Sequence, residues 1–167
     1  MHQPPFAIIA ICGSIATGPP IVLPETPEQL PLTVAPVYNA LIGKDVPGPQ
    51  DSIGKIAGAV PYVDVRDLAA VYLWCVEHPA QANGERYLVV AGQGTKQAIL
   101  DILRGKYTER QDVIKAGNPG NGYNKDWTFG VGGVVFDSSK VKAAVGLEWI
   151  PYDESILDTA KALETLL

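Results

Sequence analysis

The chain is poor in the residues that build cross-links and metal sites. It holds two cysteines, Cys12 and Cys75, and two histidines, His2 and His78, with no CxxC and no Cys/His cluster. That spacing excludes a disulfide framework and a structural zinc site, and no metal is expected. Long apolar runs are missing too. Nothing approaches the roughly 20 residues of a membrane-spanning helix. The run from Phe6 to Cys12 is too short for a secretory leader, and no basic region precedes it. Basic blocks are also absent: 13 Lys and Arg are scattered against 18 Asp and Glu, for a net charge of −5. Binding to nucleic acid or to an anionic membrane therefore has no electrostatic footprint. There is no Asn-x-Ser/Thr sequon, and a cytoplasmic location is expected.

What is present is globular. Hydrophobic residues make up 47% and charged residues 19% of 167 positions, a size suited to a single domain with its own core. Phe6 to Cys12 reads as a strand buried on both faces. A Pro-rich stretch follows from Gly18 to Pro31, then a helix from about Thr33 to Leu41 closed by Gly43. Val60 to Asp64 reads as a strand, with Asp64 or Asp67 capping a helix that runs to about Val76 before Pro79. Leu68, Val71, Tyr72 and Cys75 recur at helical spacing and predict its buried face. Arg86 to Ala91 is a further strand, and Thr95 opens a helix carrying Ile99, Leu100 and Leu103. Gly105 to Gly133 is long, polar and aperiodic, the kind of segment that is often functional. A short strand at Gly133 to Phe136 follows. Then come a helix capped by Asp137 or Ser138 and ended by Gly146, and a last helix capped by Asp153. Strands and helices alternate, so the class is α/β, with a small, partly parallel sheet and about five helices in one domain over residues 1–167.

Several motifs have plain readings. Gly92-Gln-Gly94 between a strand and a helix mimics a dinucleotide fingerprint, but the third glycine is Gln97 and no acidic residue follows in a second βαβ unit. It reads as a strand-to-helix turn with Thr95 as N-cap. Asp64-Val-Arg66-Asp67 could be an acid pair with a base, yet its place at a strand-to-helix junction favours capping and an Arg–carboxylate brace. His78 sits at a helix C-terminus, where imidazole complements the dipole, and Cys75 lies on an apolar helix face. Cys12, at the end of the first strand, could face a ligand crevice. The Tyr107 to Trp127 stretch mixes aromatics and amides with glycines, which suits either a cap over a small polyfunctional ligand or a solvated loop with a few anchors.

Four segments in order carry a resemblance: Gly18-Pro19-Pro20-Ile21 after a buried strand, Tyr62-Val-Asp-Val-Arg-Asp-Leu-Ala69, Gly84-Glu-Arg-Tyr-Leu88, and a tail running from Asp137-Ser-Ser-Lys-Val through Gly146-Leu and Pro151-Tyr to Ala160. From about residue 6 onward the chain resembles the C-terminal, substrate-binding half of extended short-chain dehydrogenase/reductases. The likeness is to the NADPH-dependent ketone and aldehyde reductases of the dihydroflavonol reductase, cinnamoyl-CoA reductase and yeast methylglyoxal reductase group, with a fungal flavour. The resemblance implies a truncated form without the nucleotide-binding half. In that family the other half supplies the phosphate loop, a catalytic serine and Tyr-x-x-x-Lys, whose tyrosine delivers a proton as hydride arrives. Here the residues four after the seven tyrosines are Ile42, Arg66, Val76, Ala91, Gln111, Trp127 and Ile156, none of them lysine. Where the family has Asn-Pro-Pro after the strand, this chain has Cys12-Gly13-Ser14.

These departures imply an enzyme that is not a self-standing oxidoreductase and uses no cofactor. The expected function is a redox-independent isomerase, cyclase or dehydratase acting on a polyketide- or alkaloid-like intermediate of secondary metabolism, by shape, desolvation and hydrogen bonding. The candidate pocket is Cys12, Ser14, Thr17, Tyr38, Tyr123 and Trp127, with Lys115, Asp126 or His2 moving protons. Two alternatives remain open: an inactive C-terminal piece of an ordinary reductase, and a binding or assembly subunit. A homodimer is expected, covering the edge of the first strand.

Overall fold

The computed structural model describes residues 10–12, 15–46, 60–123 and 136–167, with the side chains of residues 10–12 and 15 left out. The elements are β1 (Ala10–Cys12), β2 (Ile15–Thr17), α1 (Ala35–Leu41), β3 (Val60–Asp64), α2 (Val65–Glu77), α3 (Pro79–Ala82), β4 (Arg86–Leu88), β5 (Gly92–Gly94), α4 (Lys96–Lys106), α5 (Ser139–Val145) and α6 (Tyr152–Leu163). The class is α/β, as the alternation predicts.

Among the described residues the strands form two small sheets. β1 lies parallel to β4, with Ile11 opposite Tyr87. β2 lies parallel to β3, with Thr17 opposite Asp64, and β5 runs antiparallel to β3. The strand expected over Arg86 to Ala91 is therefore shorter, because the chain leaves one sheet at Leu88 and enters the other at Gly92. The backbone bonds lost at this switch are replaced. Val90 N–H donates to Ser138 Oγ (3.1 Å), the Ser138 hydroxyl donates back to Val90 C=O (2.8 Å), and Ala91 N–H donates to Tyr62 C=O. Buried backbone groups need such partners.

β3 and α2 join with no loop, since Asp64 accepts from Arg66 N–H at 2.9 Å and acts as N-cap. On α2 the inward residues are Asp67, Val71 and Cys75, one helical turn apart. Tyr72, placed on that face by the sequence pattern, is 52% exposed. It stands about 100° around the helix from Val71, at the edge of an apolar stripe wider than one face can bury. Pro79 begins the short α3 as well as ending α2. The last helix starts two residues earlier than expected, after Pro151, and Asp153 and Glu154 lie in its first turn, where carboxylates complement the helix dipole. Gly133 to Val135 of the expected short strand lie outside the described residues, and Phe136 is not in a strand.

Two cores form among the described residues. Helices α1, α4 and α6 enclose Val37, Leu41, Leu100, Leu103, Ile114, Ile156 and Leu163. Beneath α2 and α5, Val63, Val71, Cys75, Tyr87, Val89 and Val141 form the second, and Ala91 at the sheet switch packs on both. No described helix is long and apolar enough to cross a membrane.

Candidate functional site

α4 presents two polar side chains one turn apart, Gln97 and Asp101, to the segment 116–123. The Gln97 amide donates to Asp101 Oδ1 (2.7 Å) and to Ala116 C=O (2.8 Å), while its own oxygen accepts from Asn118 N–H (2.7 Å). Asp101 Oδ2 accepts from Gly120 N–H (2.9 Å) and from the Tyr123 hydroxyl. Two side chains thus satisfy four donors or acceptors of an otherwise aperiodic loop, which is what fixes it against the helix. Burial, followed by the bond to Asp101, pushes the Tyr123 phenol up to about 12, so at neutral pH it is a proton-bearing donor rather than a base. Gln97→Ala removes the central link. We expect faster proteolytic cleavage within 116–123 and a loss of stability of about 1–2 kcal/mol in a denaturant melt.

A second polar group lies under β2 and β3. Asp64 is fully buried. It takes a fork of bonds from Arg66 (Nε to Oδ1 2.9 Å, Nη2 to Oδ2 3.0 Å), and Arg66 Nη1 reaches Asp158 on α6 at 2.7 Å. Thr17 and Ser155 hydroxyls share a bond of 2.8 Å across the same interface. Desolvation alone would raise the Asp64 carboxyl, but bonds from Arg66 and Ser155 outweigh it and hold the group below the usual carboxylate range. Asp67 differs: burial pushes it up, although it accepts from Ile150 N–H at 2.9 Å. Gly18 (φ +111°) passes so close that a Cβ there would sit 2.8 Å from the Asp64 carboxylate. The sequence motif Asp64-Val-Arg66 is therefore the cap and brace that its position implies.

The sequence-derived residues are dispersed among these parts. Thr17 belongs to the Asp64 group and Tyr123 to the α4 clamp. Tyr38 is in the helical core, 8% exposed, with its hydroxyl donating to Leu166 C=O at 3.2 Å. Lys115 pairs with Asp45 at 2.6 Å on the surface. Cys12 contributes backbone to β1, and its side chain, with His2, Ser14, Asp126 and Trp127, lies outside the described residues. Sequence reasoning passed over Gln97, Asp101 and Ser155. The available signal for the first two was a Gln and an Asp at i and i+4, facing away from the apolar stripe of Ile99, Leu100 and Leu103.

The Gly92-Gln-Gly94 turn shows what those glycines accommodate. A Cβ on Gly94 would lie 2.5 Å from the Tyr152 ring, and one on Gly92 would lie 3.0 Å from Tyr62. The two rings meet edge to face at 4.8 Å. The space beside the turn is filled by aromatic side chains, and Thr95 Oγ1 already accepts Ala98 N–H (3.1 Å) at the start of α4. A dinucleotide pyrophosphate needs open backbone at that place, so this turn does not fit one. Among the described residues no cluster of His, Cys, Asp or Glu could hold a metal ion.

No family model matches the chain. It is 31% identical over 115 residues to the NADPH-dependent methylglyoxal reductase of Saccharomyces cerevisiae, covering 69% of this chain and 32% of that protein. It is 25% identical over 163 residues to a ketoreductase of Aspergillus niger, covering 96% of this chain and 44% of that one. The fold matches the yeast methylglyoxal/isovaleraldehyde reductase complexed with NADPH at a TM-score of 0.68 and 22% identity, over 95% of this chain and 44% of that structure. The chain spans less than half the length of the relatives it matches.

Proposed function

We propose, on the premise that this chain is similar to the C-terminal part of extended short-chain dehydrogenase/reductases of the methylglyoxal reductase group, that it is a reductase-derived ligand-binding unit whose chemistry is redox-independent. The observation that carries this reading is the filled Gly92-Gln-Gly94 turn: this strand-glycine-helix junction packs Tyr62 and Tyr152 and leaves no cradle for a nucleotide phosphate. The absence of Tyr-x-x-x-Lys from these 167 residues agrees with it. The reaction proposed is an isomerisation, cyclisation or dehydration of a small, carbonyl-rich natural-product intermediate. In this reading the pinned segment 116–123 forms one wall of the ligand pocket, and Thr17 and Tyr123 offer hydroxyls to it. Cys12, Ser14 and Trp127 are proposed to complete that pocket, with Asp126 and His2 as the proton carriers; Tyr38, whose hydroxyl is held by Leu166 C=O in the helical core, and Lys115, paired with Asp45 on the surface, are not placed in it. Nothing in this chemistry requires hydride.

The test combines NADPH with methylglyoxal, the substrate named for the yeast relative, and follows NADPH absorbance and thermal stability. No consumption and no NADPH-induced rise in Tm are expected, whereas a carbonyl-rich intermediate that fits the pocket raises Tm and is converted without cofactor. NADPH consumption by the chain alone would overturn the reading. A second reading is favoured by the span of under half the length of the relatives: the chain is then the ligand-holding part of a reductase whose nucleotide-binding part comes from other residues, and adding that part as a separate polypeptide would start NADPH consumption. Ligand binding without any product would favour a binding or assembly subunit.

A further inference from the structure

The segment 146–151 joins α5 to α6, and side chains from β3 and α2 take both backbone groups of its Ile150. Ile150 N–H donates to Asp67 Oδ2 at 2.9 Å, and the Tyr62 hydroxyl donates to Ile150 C=O at 3.4 Å. On one side of this grip Trp149 packs on the second core, and on the other Tyr152 fills the space beside Gly94. Asp67 is the third residue of α2. An acidic side chain there ordinarily turns back to its own helix N-terminus, but Asp64 supplies the cap and Asp67 reaches across to Ile150.

The place suits a carboxyl group better than a carboxylate. Asp67 is 5% exposed. Asp64 on β3 and Glu154 on α6 bring like charge to it, and Asp153 of α6 acts on the neighbouring Tyr62. Arg66 is a cation that acts on it, yet its guanidinium is already bonded to Asp64 and Asp158. On α5, Lys140 and Lys142 pair with Glu85 and Glu148, and α3 carries no charge.

We propose that Asp67 is a proton-operated latch between α2 and the entry to α6, closed on Ile150 when its carboxyl is protonated and loosened when it is ionised. The bond from Ile150 favours the ion, but burial first, then Asp64 and Glu154, outweigh it, so the closed carboxyl sits above its ordinary value. In an opened segment it returns to about 4. Protonation therefore favours the closed state, which gains as pH falls from the closed value toward the open one, and the latch is weakest above the closed value. The sign is opposite to that of Asp64. Opening releases Trp149 and the first turn of α6, which carries Tyr152 and Ser155.

Amide hydrogen exchange of the whole chain, followed by NMR at about pH 7.5 and about pH 4.5 and divided by the intrinsic rates, reads the opening at Ile150. Wild-type protection there rises about threefold or more on acidification. Asp67→Asn keeps an oxygen for Ile150 N–H and does not ionise, so it protects Ile150 at least as well at the higher pH and does not share the rise. A wild-type to variant ratio that does not rise on acidification would overturn the latch, as would better protection in the wild type at the higher pH. If circular dichroism shows the variant unfolded, the side-chain carboxyl carbon of Asp67 in the wild type decides. A titration midpoint above that of an exposed aspartate is expected, and one at or below it overturns the proposal.

Discussion

Asp64→Ala will lower stability by about 3 kcal/mol, and Asp64→Asn by about 1 kcal/mol. The larger loss sums an N-cap, worth about 1 kcal/mol, and the buried bonds that Asp64 accepts from Arg66 and Ser155, each removed with its partner left behind. Arg66 keeps Asp158 and partial access to water, which holds the loss below that of a fully buried pair. Asparagine keeps the cap and the bond from Arg66 Nε, but it loses the charge and puts an amide nitrogen where the second oxygen accepts from Arg66 Nη2. In a protein of this size the alanine variant should melt about 6–12 °C lower. The effect carries a pH signature. The folded carboxyl titrates below its ordinary value, so its ionic contribution is complete above the unfolded value of about 4 and fades as pH falls through the folded one. The gap between wild type and Asp64→Ala should be constant from neutral pH down to that point and narrow below it. A gap that widens on acidification would show that the cap and brace are not what Asp64 supplies.

Gly94→Ala will cost about 2–3 kcal/mol although one methyl group is added. The new Cβ would lie 2.5 Å from Tyr152 Cε2 and 2.6 Å from Cζ and the hydroxyl. Tyr152 cannot swing aside: it is 5% exposed and packs edge to face on Tyr62. Overpacking in such a place costs typically 1–3 kcal/mol. Tyr152→Leu leaves a cavity and is itself destabilising, but on that background Gly94→Ala should cost little, because the colliding ring is gone. The coupling between the two changes, read from urea melts of the four proteins, is the expected result. Additive losses would mean that Gly94 serves something other than the ring.

Much of this was legible in the chain itself. Asp64 and Thr95 stand where a strand gives way to a helix, and both act as caps through their side chains because capping depends on a few neighbouring residues. Asp137 also accepts a local backbone bond, from Ser139 N–H at 2.9 Å. The sheet switch after Leu88 was not legible. Arg86 to Ala91 has one continuous β-rich composition, and only the distant Ser138 makes it affordable to take Val90 out of the ladder. The outward apolar stripe of α2 misled for a related reason: periodicity finds apolar residues but not which of two apolar faces meets the core. The α4 clamp was hidden because Gln97 and Asp101 look like ordinary surface residues until the loop 116–123 folds back onto them. As for the candidate site, the sequence located the segment and its tyrosine, and the structure supplied what holds them.

The measurement closest to the central claim is an isothermal titration of the purified chain with NADPH. With the turn at Gly92 to Gly94 filled by Tyr62 and Tyr152, no saturable binding is predicted in the wild type. Saturable, stoichiometric NADPH binding by the wild type would contradict it, and the chain would then have to be read as carrying a nucleotide site of its own.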